Sequence, residues 1–364
     1  VGNKSTSDRV SLDVDTFADA PVIDAVNDNV DSQTGNVLDA KTKVALTNDS
    51  TPTLEGYAEP DSVITIYEIS ELNGEKTAIG TVTADNHGGW KFELPELGDG
   101  EYKYTTRAQD KAGNISDFSE VVVVNADLIA PSEPTITFVE DVNPKDGKLN
   151  KAENSKDGDS TSTKAQISVP GDAEENDVIH YTVNGEEKTH TITYNDRVTG
   201  YVEIKVPVVD GKASSVTAKI VDQAGNVGKE AKESLDVDTK APSVENVKVT
   251  PVDTNSPADG NPDKGIVKGH SDEPNAPVVV TDKDGKTIGT GTTDDKGNFE
   301  ITTDPIKPGD KVNVEVTDKA GNKGNGEGTA GNIEHPNDHT APSEPTITFV
   351  EDTNPKDGKL NKDE

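Results

Sequence analysis

Four copies of one short segment set the plan of this chain. The clearest is Asp236-Val237-Asp238-Thr239-Lys240-Ala241-Pro242. Asp13-Val14-Asp15-Thr16 precedes Ala20-Pro21, Asn125-Ala126-Asp127 precedes Ala130-Pro131, and Asp338-His339-Thr340 precedes Ala341-Pro342. Successive Ala-Pro pairs stand 110, 111 and 100 residues apart. Proline fixes φ and has no N–H for a sheet ladder, so each copy reads as a seam between the last strand of one domain and the first of the next. The 364 residues then hold about three domains of roughly 100 residues each, an ordinary domain size. Their bounds are 17–128, 129–239 and 240–340, called here beads one, two and three.

The two ends read as fragments of further beads. Residues 1–16 align without gaps on 224–239 with 8 of 16 positions identical, which predicts the last strand of a preceding bead. Residues 341–364 open a following one, since 341–362 repeat 130–151 with one change in 22, Thr353 for Val142. With no Met anywhere, the expectation is an internal piece of a longer chain. A repeat of this period points to a beaded array rather than a catalytic domain.

Within bead one, short alternating runs rich in Val, Ile, Thr and Tyr lie between turn signals. They predict seven strands: 22–26, 53–57, 63–69, 77–83, 90–94, 102–108 and 118–124. Asn73-Gly74 is a hairpin turn. No stretch keeps a helical period. The expected fold is all-β: tandem immunoglobulin-like β-sandwiches arranged as a linear rod. Trp90, Tyr201 and Phe299 fall near the same strand start and are expected in the cores.

Charge narrows the partners. Asp plus Glu is 69 against 35 Lys plus Arg, a formal −34, which argues against nucleic acid and anionic membrane surfaces and suits divalent cations. No run of apolar residues is long enough for a membrane insertion. Without Cys there is no disulfide framework, and a metal is the usual alternative staple for small domains outside the cell. No G-x-S-x-G, HExxH or P-loop motif is present, and the chain is expected not to be an enzyme.

The carboxylates fall where a metal would use them. In such a sandwich the second–third, fourth–fifth and sixth–seventh loops return to the pole where the linker enters. In bead one these loops carry Glu59, Asp61, Asp85 and Asp110, and the linker adds Asp13 and Asp15. Bead two offers Asp127, Asp196 and Asp222, with Asp172, Glu174 and Glu175 in its second–third loop. Bead three offers Asp236, Asp238, Glu273, Asp294 and Asp318, and Asp338 opens the next seam. Such a cluster repels itself unless a cation such as Ca²⁺, with about six to eight oxygen ligands, cross-links it. Without metal, the linkers are expected to swing freely. The bland reading is that Asp-x-Ala-Gly-Asn is simply a tight turn. Asp318→Ser separates the two: a ligand role predicts near-normal folding without metal.

A second candidate lies at 141–153. From Asp146 on it follows the latter half of an EF-hand loop, through Gly147 and Asn150 to Glu153. Asp141 and Asn143 sit one place early for the first half, and a solvated acidic loop is the alternative.

Taken together, Asp-x-Asp-Thr-x-Ala-Pro, the run Thr51 to Pro60, Asp-x-x-Gly-x-Trp and Asp-x-Ala-Gly-Asn resemble the bacterial Ig-like repeats of giant type-1-secreted non-fimbrial adhesins. The resemblance covers beads one and three well, and bead two at its ends. It implies surface-displayed, monomeric rods, calcium between beads, secretion as an unfolded chain, and virulence-linked attachment to host cells or biofilm through a cell-surface or glycan receptor. Bead two, divergent in its middle, is the candidate for a bead that binds the receptor directly.

Overall fold

The computed structural model describes residues 14–30, 33–142, 145–156, 158–256 and 258–336. The expectations for Asp13, Asn143 and Asp338, for residues 1–13 of the first end fragment and for the whole of the last fall outside the described residues. Two compact units form. One carries beads one and two as far as Val237, without Asn150–Ala152; the other carries Asn150–Ala152 and the chain from Asp238 on.

In bead one the strands are β1 (Val22–Val30), β2 (Gln33–Asn36), β3 (Val44–Thr47), β4 (Thr53–Tyr57), β5 (Val63–Ile69), β6 (Lys76–Thr83), β7 (Gly89–Glu93), β8 (Gly100–Gln109) and β9 (Val122–Ala126). A sheet ordered β2-β1-β4-β7 faces one ordered β3-β9-β8-β5-β6. Between them lie Leu54, Ile64, Ile66, Tyr104 and Val124, together with Trp90. Burying such side chains is what stabilises the sandwich, at about 1.5–3 kcal/mol each.

Nine strands replace the expected seven, because the polar stretch after β1 is not a plain loop. Gln33–Asn36 folds back on β1, and Val44–Thr47 joins the opposite sheet in parallel with β9. At four residues each, neither run is long enough to show an alternation. The last strand is also later than expected. Phe118 lies outside it, edge-on to Tyr67 at 5.3 Å, with Lys76 and Arg107 at 5.0 and 5.1 Å from its ring.

Bead two contains β10 (Ile136–Phe138), β11 (Lys148–Leu149), α1 (Lys151–Asn154), β12 (Ser162–Ser168), β13 (Val178–Val183), β14 (Glu186–Thr191), α2 (Tyr194–Thr199), β15 (Tyr201–Pro207), β16 (Ala213–Val221) and β17 (Ala231–Val237). The sheets are β10-β12-β15 and β11-β17-β16-β13-β14, with β11 parallel to β17. Helix α2 replaces the turn that beads one and three use at this point. Thr193 and Asp196 form a reciprocal capping box and Gly200 closes the C-terminus at φ 81°.

Bead three is built from β18 (Val244–Val252), β19 (Lys264–Ser271), β20 (Pro277–Asp282), β21 (Thr287–Thr292), β22 (Asn298–Thr303), β23 (Lys311–Thr317) and β24 (Lys323–Thr329). Its sheets are β18-β19-β22 and β21-β20-β23-β24. Among the described residues, the parallel contact seen in the other beads is reduced to two bridges, Val249 with Ala330 and Val252 with Glu334.

Two glycines make room for the core aromatics. Gly56 on β4 pairs with Trp90, and a Cβ there would lie 1.8 Å from the Val22 carbonyl oxygen and 2.7 Å from the indole. Gly269 on β19 pairs with Phe299 in the same way, with 2.3 Å left to that ring. Bead two uses Ile167 opposite Val202 instead. There the inward residue comes one place after Tyr201, which is 38% exposed, so the expectation of a core tyrosine fails. A strand presents alternate residues to its two faces, and one step in register moves the aromatic outside.

Candidate functional site

Each bead begins by tying its own incoming linker to two loops, and the ties recur. In the sixth–seventh loop, Asp-x-Ala-Gly-Asn is a closed turn. Asn114 N–H donates to Asp110 Oδ1 at 2.8 Å, and Asn114 Nδ2 donates to Asp110 Oδ2 at 2.7 Å and to the Asp15 carbonyl at 3.1 Å. Asn226 repeats this with Asp222, at 2.8 Å to each oxygen, and with the Asp127 carbonyl at 2.8 Å. Asn322 repeats it with Asp318, at 2.8 and 2.9 Å, and with the Asp238 carbonyl at 2.8 Å. The left-handed residue of the turn is the glycine, Gly113, Gly225 or Gly321. The asparagine is thereby left in a conformation from which its amide reaches the linker.

The second tie runs the other way, with a loop carboxylate accepting a linker N–H. Asp19 N–H donates to Glu59 Oε1 at 2.8 Å, Ser132 N–H to Asp172 Oδ2 at 3.1 Å, and Ser243 N–H to Asp272 Oδ1 at 2.6 Å. Sequence reasoning placed Glu59 and Asp172 in these loops. In bead three it chose Glu273 where Asp272 makes the bond. Adjacent acids in a loop carry no periodicity that would tell them apart.

The fourth–fifth loops also arrive at this pole. Asp61 N–H donates to the Asp85 carbonyl at 3.4 Å, and Asn275 N–H to that of Asp294 at 3.4 Å. The carboxylates of Asp85 and Asp294 point into their own turns. They accept the His87 and Gly89 N–H groups and the Lys296 and Asn298 N–H groups, respectively. Those backbone donors hold both acids below the ordinary aspartate range.

Bead two departs at this loop. Asp196 is engaged in capping α2 and accepts from His190 Nε2 at 2.9 Å. The carboxylates that do converge line a cleft of about 270 Å³: Asp127, Asp172, Glu174, Asp177 and Asp222. Asp177 went unnoticed in the sequence, because only the folded loop brings it beside Glu174. Burial raises the pKa of Asp127, with Asp222, Asp99 and Glu174 adding repulsion. Burial also raises Asp177, again with Asp222 and Glu174 nearby. In bead three, Glu273 is raised by burial and then by Asp318, Asp272 and Asp238. Lysines temper two of the poles: Lys111 Nζ lies 2.6 Å from Asp61, and Lys240 Nζ 3.2 Å from Asp272. In bead two the residue matching Lys111 is Gln223, which donates to the Glu175 carbonyl at 3.0 Å.

Asp236 lies within β17, paired with Ala213 and Lys148, while Asp238 belongs to the second unit. In the 141–153 segment, Asp141 is buried and accepts the Asp146 and Gly147 N–H groups at 3.1 and 3.0 Å. Asp146 caps Lys148 N–H, and Glu153, also buried, accepts Val142 N–H at 3.3 Å. Asn150 is buried and falls with the second unit.

The donor set at these poles is all oxygen, the ligand chemistry of Ca²⁺. Among the described residues, no three carboxylates or imidazoles are already gathered around one point. A cation would have to draw the acids of the bead-two cleft together, chiefly Asp127, Asp177 and Asp222, where burial and then mutual repulsion raise Asp127 and Asp177.

Residues 22–127 match the family model of a bacterial Ig-like domain, and residues 249–330 that of a bacterial Ig domain. Beads one and three therefore carry bacterial Ig-like domains. No curated protein matches the chain. Among solved structures, a 1.5-MDa bacterial ice-binding adhesin is similar at 19% identity, covering 88% of this chain and 100% of that one, with a TM-score of 0.32. The FN1–FN3 domains of chicken CNTN1 are similar at 10% identity over 87% and 100%, TM-score 0.30. The fibronectin(III)-like modules of Clostridium thermocellum CbhA are similar at 18% identity over 51% and 86%, TM-score 0.31. Superpositions at this level carry no argument about activity. Among the described residues no helix is long and apolar enough to cross a membrane.

Proposed function

We propose that this chain is a calcium-rigidified repeat segment of a giant adhesin. In this reading it is exported by a type 1 system, displayed at the bacterial cell surface, and serves attachment to host cells or biofilm without catalysis. The observation that carries it is the recurrence in all three beads of a carboxylate-bearing pole where the linker enters. It is strongest in the bead-two cleft, where burial and neighbouring acids raise Asp127 and Asp177. A second reading, a bead that binds a receptor or glycan directly, is favoured by α2. That helix has no buried residue and presents Tyr194 and Val198 at 67% and 68% exposure. A glycan array probed with the whole chain, and with Tyr194→Ala as its control, distinguishes the two readings.

Thermal unfolding in about 2 mM calcium against chelator tests the main reading. One site of about 10⁻⁴ M adds about 1.8 kcal/mol, or about 7–14 °C for a bead-sized domain. Equal melting temperatures in both conditions reject calcium. The pH dependence without metal has a definite sign. Carboxylates raised on folding bind protons more tightly in the folded state, so stability grows as pH falls from 7 towards their range. Asp110, held low because the Asn114 amide and turn N–H groups outweigh burial, loses its contribution only below the ordinary value of 3.8. In chelator the melting temperature should rise as pH falls from 7 towards the range of the raised acids, and fall again below the ordinary aspartate value of 3.8. Calcium should abolish the rise.

A further inference from the structure

We propose that the asparagine closing each Asp-x-Ala-Gly-Asn turn is a metal-independent latch. Paired with the opposing carboxylate tie, it holds the linker in place before any ion binds.

The geometry supports this in three independent copies. Each asparagine amide has two hydrogens, and both are used: one on the turn aspartate, the other on a linker carbonyl 84 or 99 residues away in the chain. A turn alone requires only the first. The amide therefore couples the loop to the linker rigidly, since its own position is fixed by the aspartate and by its backbone N–H. The opposing tie takes a linker N–H a few residues further on, at Asp19, Ser132 or Ser243. Carbonyl and N–H of one short linker are thus held by two loops of the same bead, with no charge imported. On this proposal a linker without metal is held rather than swinging freely. The amide also takes a positioning role that would be lost if the residue served only the turn.

The bead-two linker is the best place to test it. Asn226 is buried and its bond to the Asp127 carbonyl fixes the peptide plane that carries Leu128 N–H. That N–H donates to Asp99 Oδ1 at 2.6 Å, and Ile129 N–H donates to Asp127 Oδ1 at 3.3 Å. Hydrogen exchange of the whole chain in chelator reads both amides directly. In the wild type they should exchange well below unprotected rates. In Asn226→Ala they should exchange about three- to tenfold faster, the effect of one lost hydrogen bond, while Val216 and Ile220 in β16 stay unchanged. Asn226→Asp removes the donor while keeping the shape, and should do the same. Unprotected linker amides in the wild type overturn the proposal without recourse to any variant. So does wild-type exchange at Leu128 and Ile129 in both variants, or an equal rise across all of bead two, which would mark Asn226 as a residue of the fold alone. Because calcium is absent throughout, failure here leaves the calcium reading standing, and the reverse also holds.

Discussion

Alanine at position 56 should destabilise bead one by about 2–4 kcal/mol, more than any surface change in this chain. The added methyl has nowhere to go. It would lie 1.8 Å from the Val22 carbonyl oxygen, which belongs to β1 and cannot rotate away, and 2.7 Å from the ring of Trp90. Either β1 lifts from β4 or the indole leaves its rotamer, and both open a core in which Leu54 and Ile64 are fully buried. The single Trp of the chain is in this core, so its fluorescence follows bead one alone during denaturant unfolding. A loss under about 0.5 kcal/mol, the range of inconsequential surface changes, would mean that β1 and β4 approach less closely than described.

Serine at position 318 should lower the stability of bead three by about 1–3 kcal/mol in chelator and also remove the calcium-dependent rise in its melting temperature. The first effect departs from the near-normal folding without metal that a ligand role alone predicts. The Asp318 carboxylate accepts the Ala320 N–H at 2.9 Å, the Asn322 N–H at 2.8 Å and the Asn322 amide at 2.9 Å. One hydroxyl cannot accept all three from the same place, so buried donors are stranded. The turn and ligand readings are therefore not alternatives for this residue. They separate only in the difference between two melting curves, with calcium and with chelator. If that difference survives in Asp318→Ser as large as in the wild type, Asp318 shapes the turn and binds nothing.

What the sequence made legible was whatever is local. Ala-Pro seams, Asn-Gly hairpins and glycines at positive φ each declare themselves within five residues, and the inward Trp90 and Phe299 follow from strand alternation. What stayed hidden depends on distant partners. Asn226 reads as a turn residue until the Asp127 carbonyl is set beside it. Asp196 reads as a loop acid until Thr193 makes it a cap. Tyr201 reads as a core residue until Ile167, rather than a glycine, is found opposite its neighbour. Val44–Thr47 is too short to declare itself, and becomes a strand only because β9 offers a free edge.

That edge has a mechanical meaning. Because β3 runs parallel to β9, and β11 to β17, the strands near the entrance and exit of beads one and two lie side by side and point the same way. Tension pulled through both linkers of such a bead shears the pair lengthwise, so its hydrogen bonds share the load and must fail together. Among the described residues of bead three, isolated bridges alone join the corresponding segments. The glycines of β24 pack its backbone directly on β18 and offer no side chains to interlock. A chain stretched through its linkers would then yield at bead three first. Single-molecule pulling should show one weak event before two stronger ones, and three equal events would remove this role from the parallel strands.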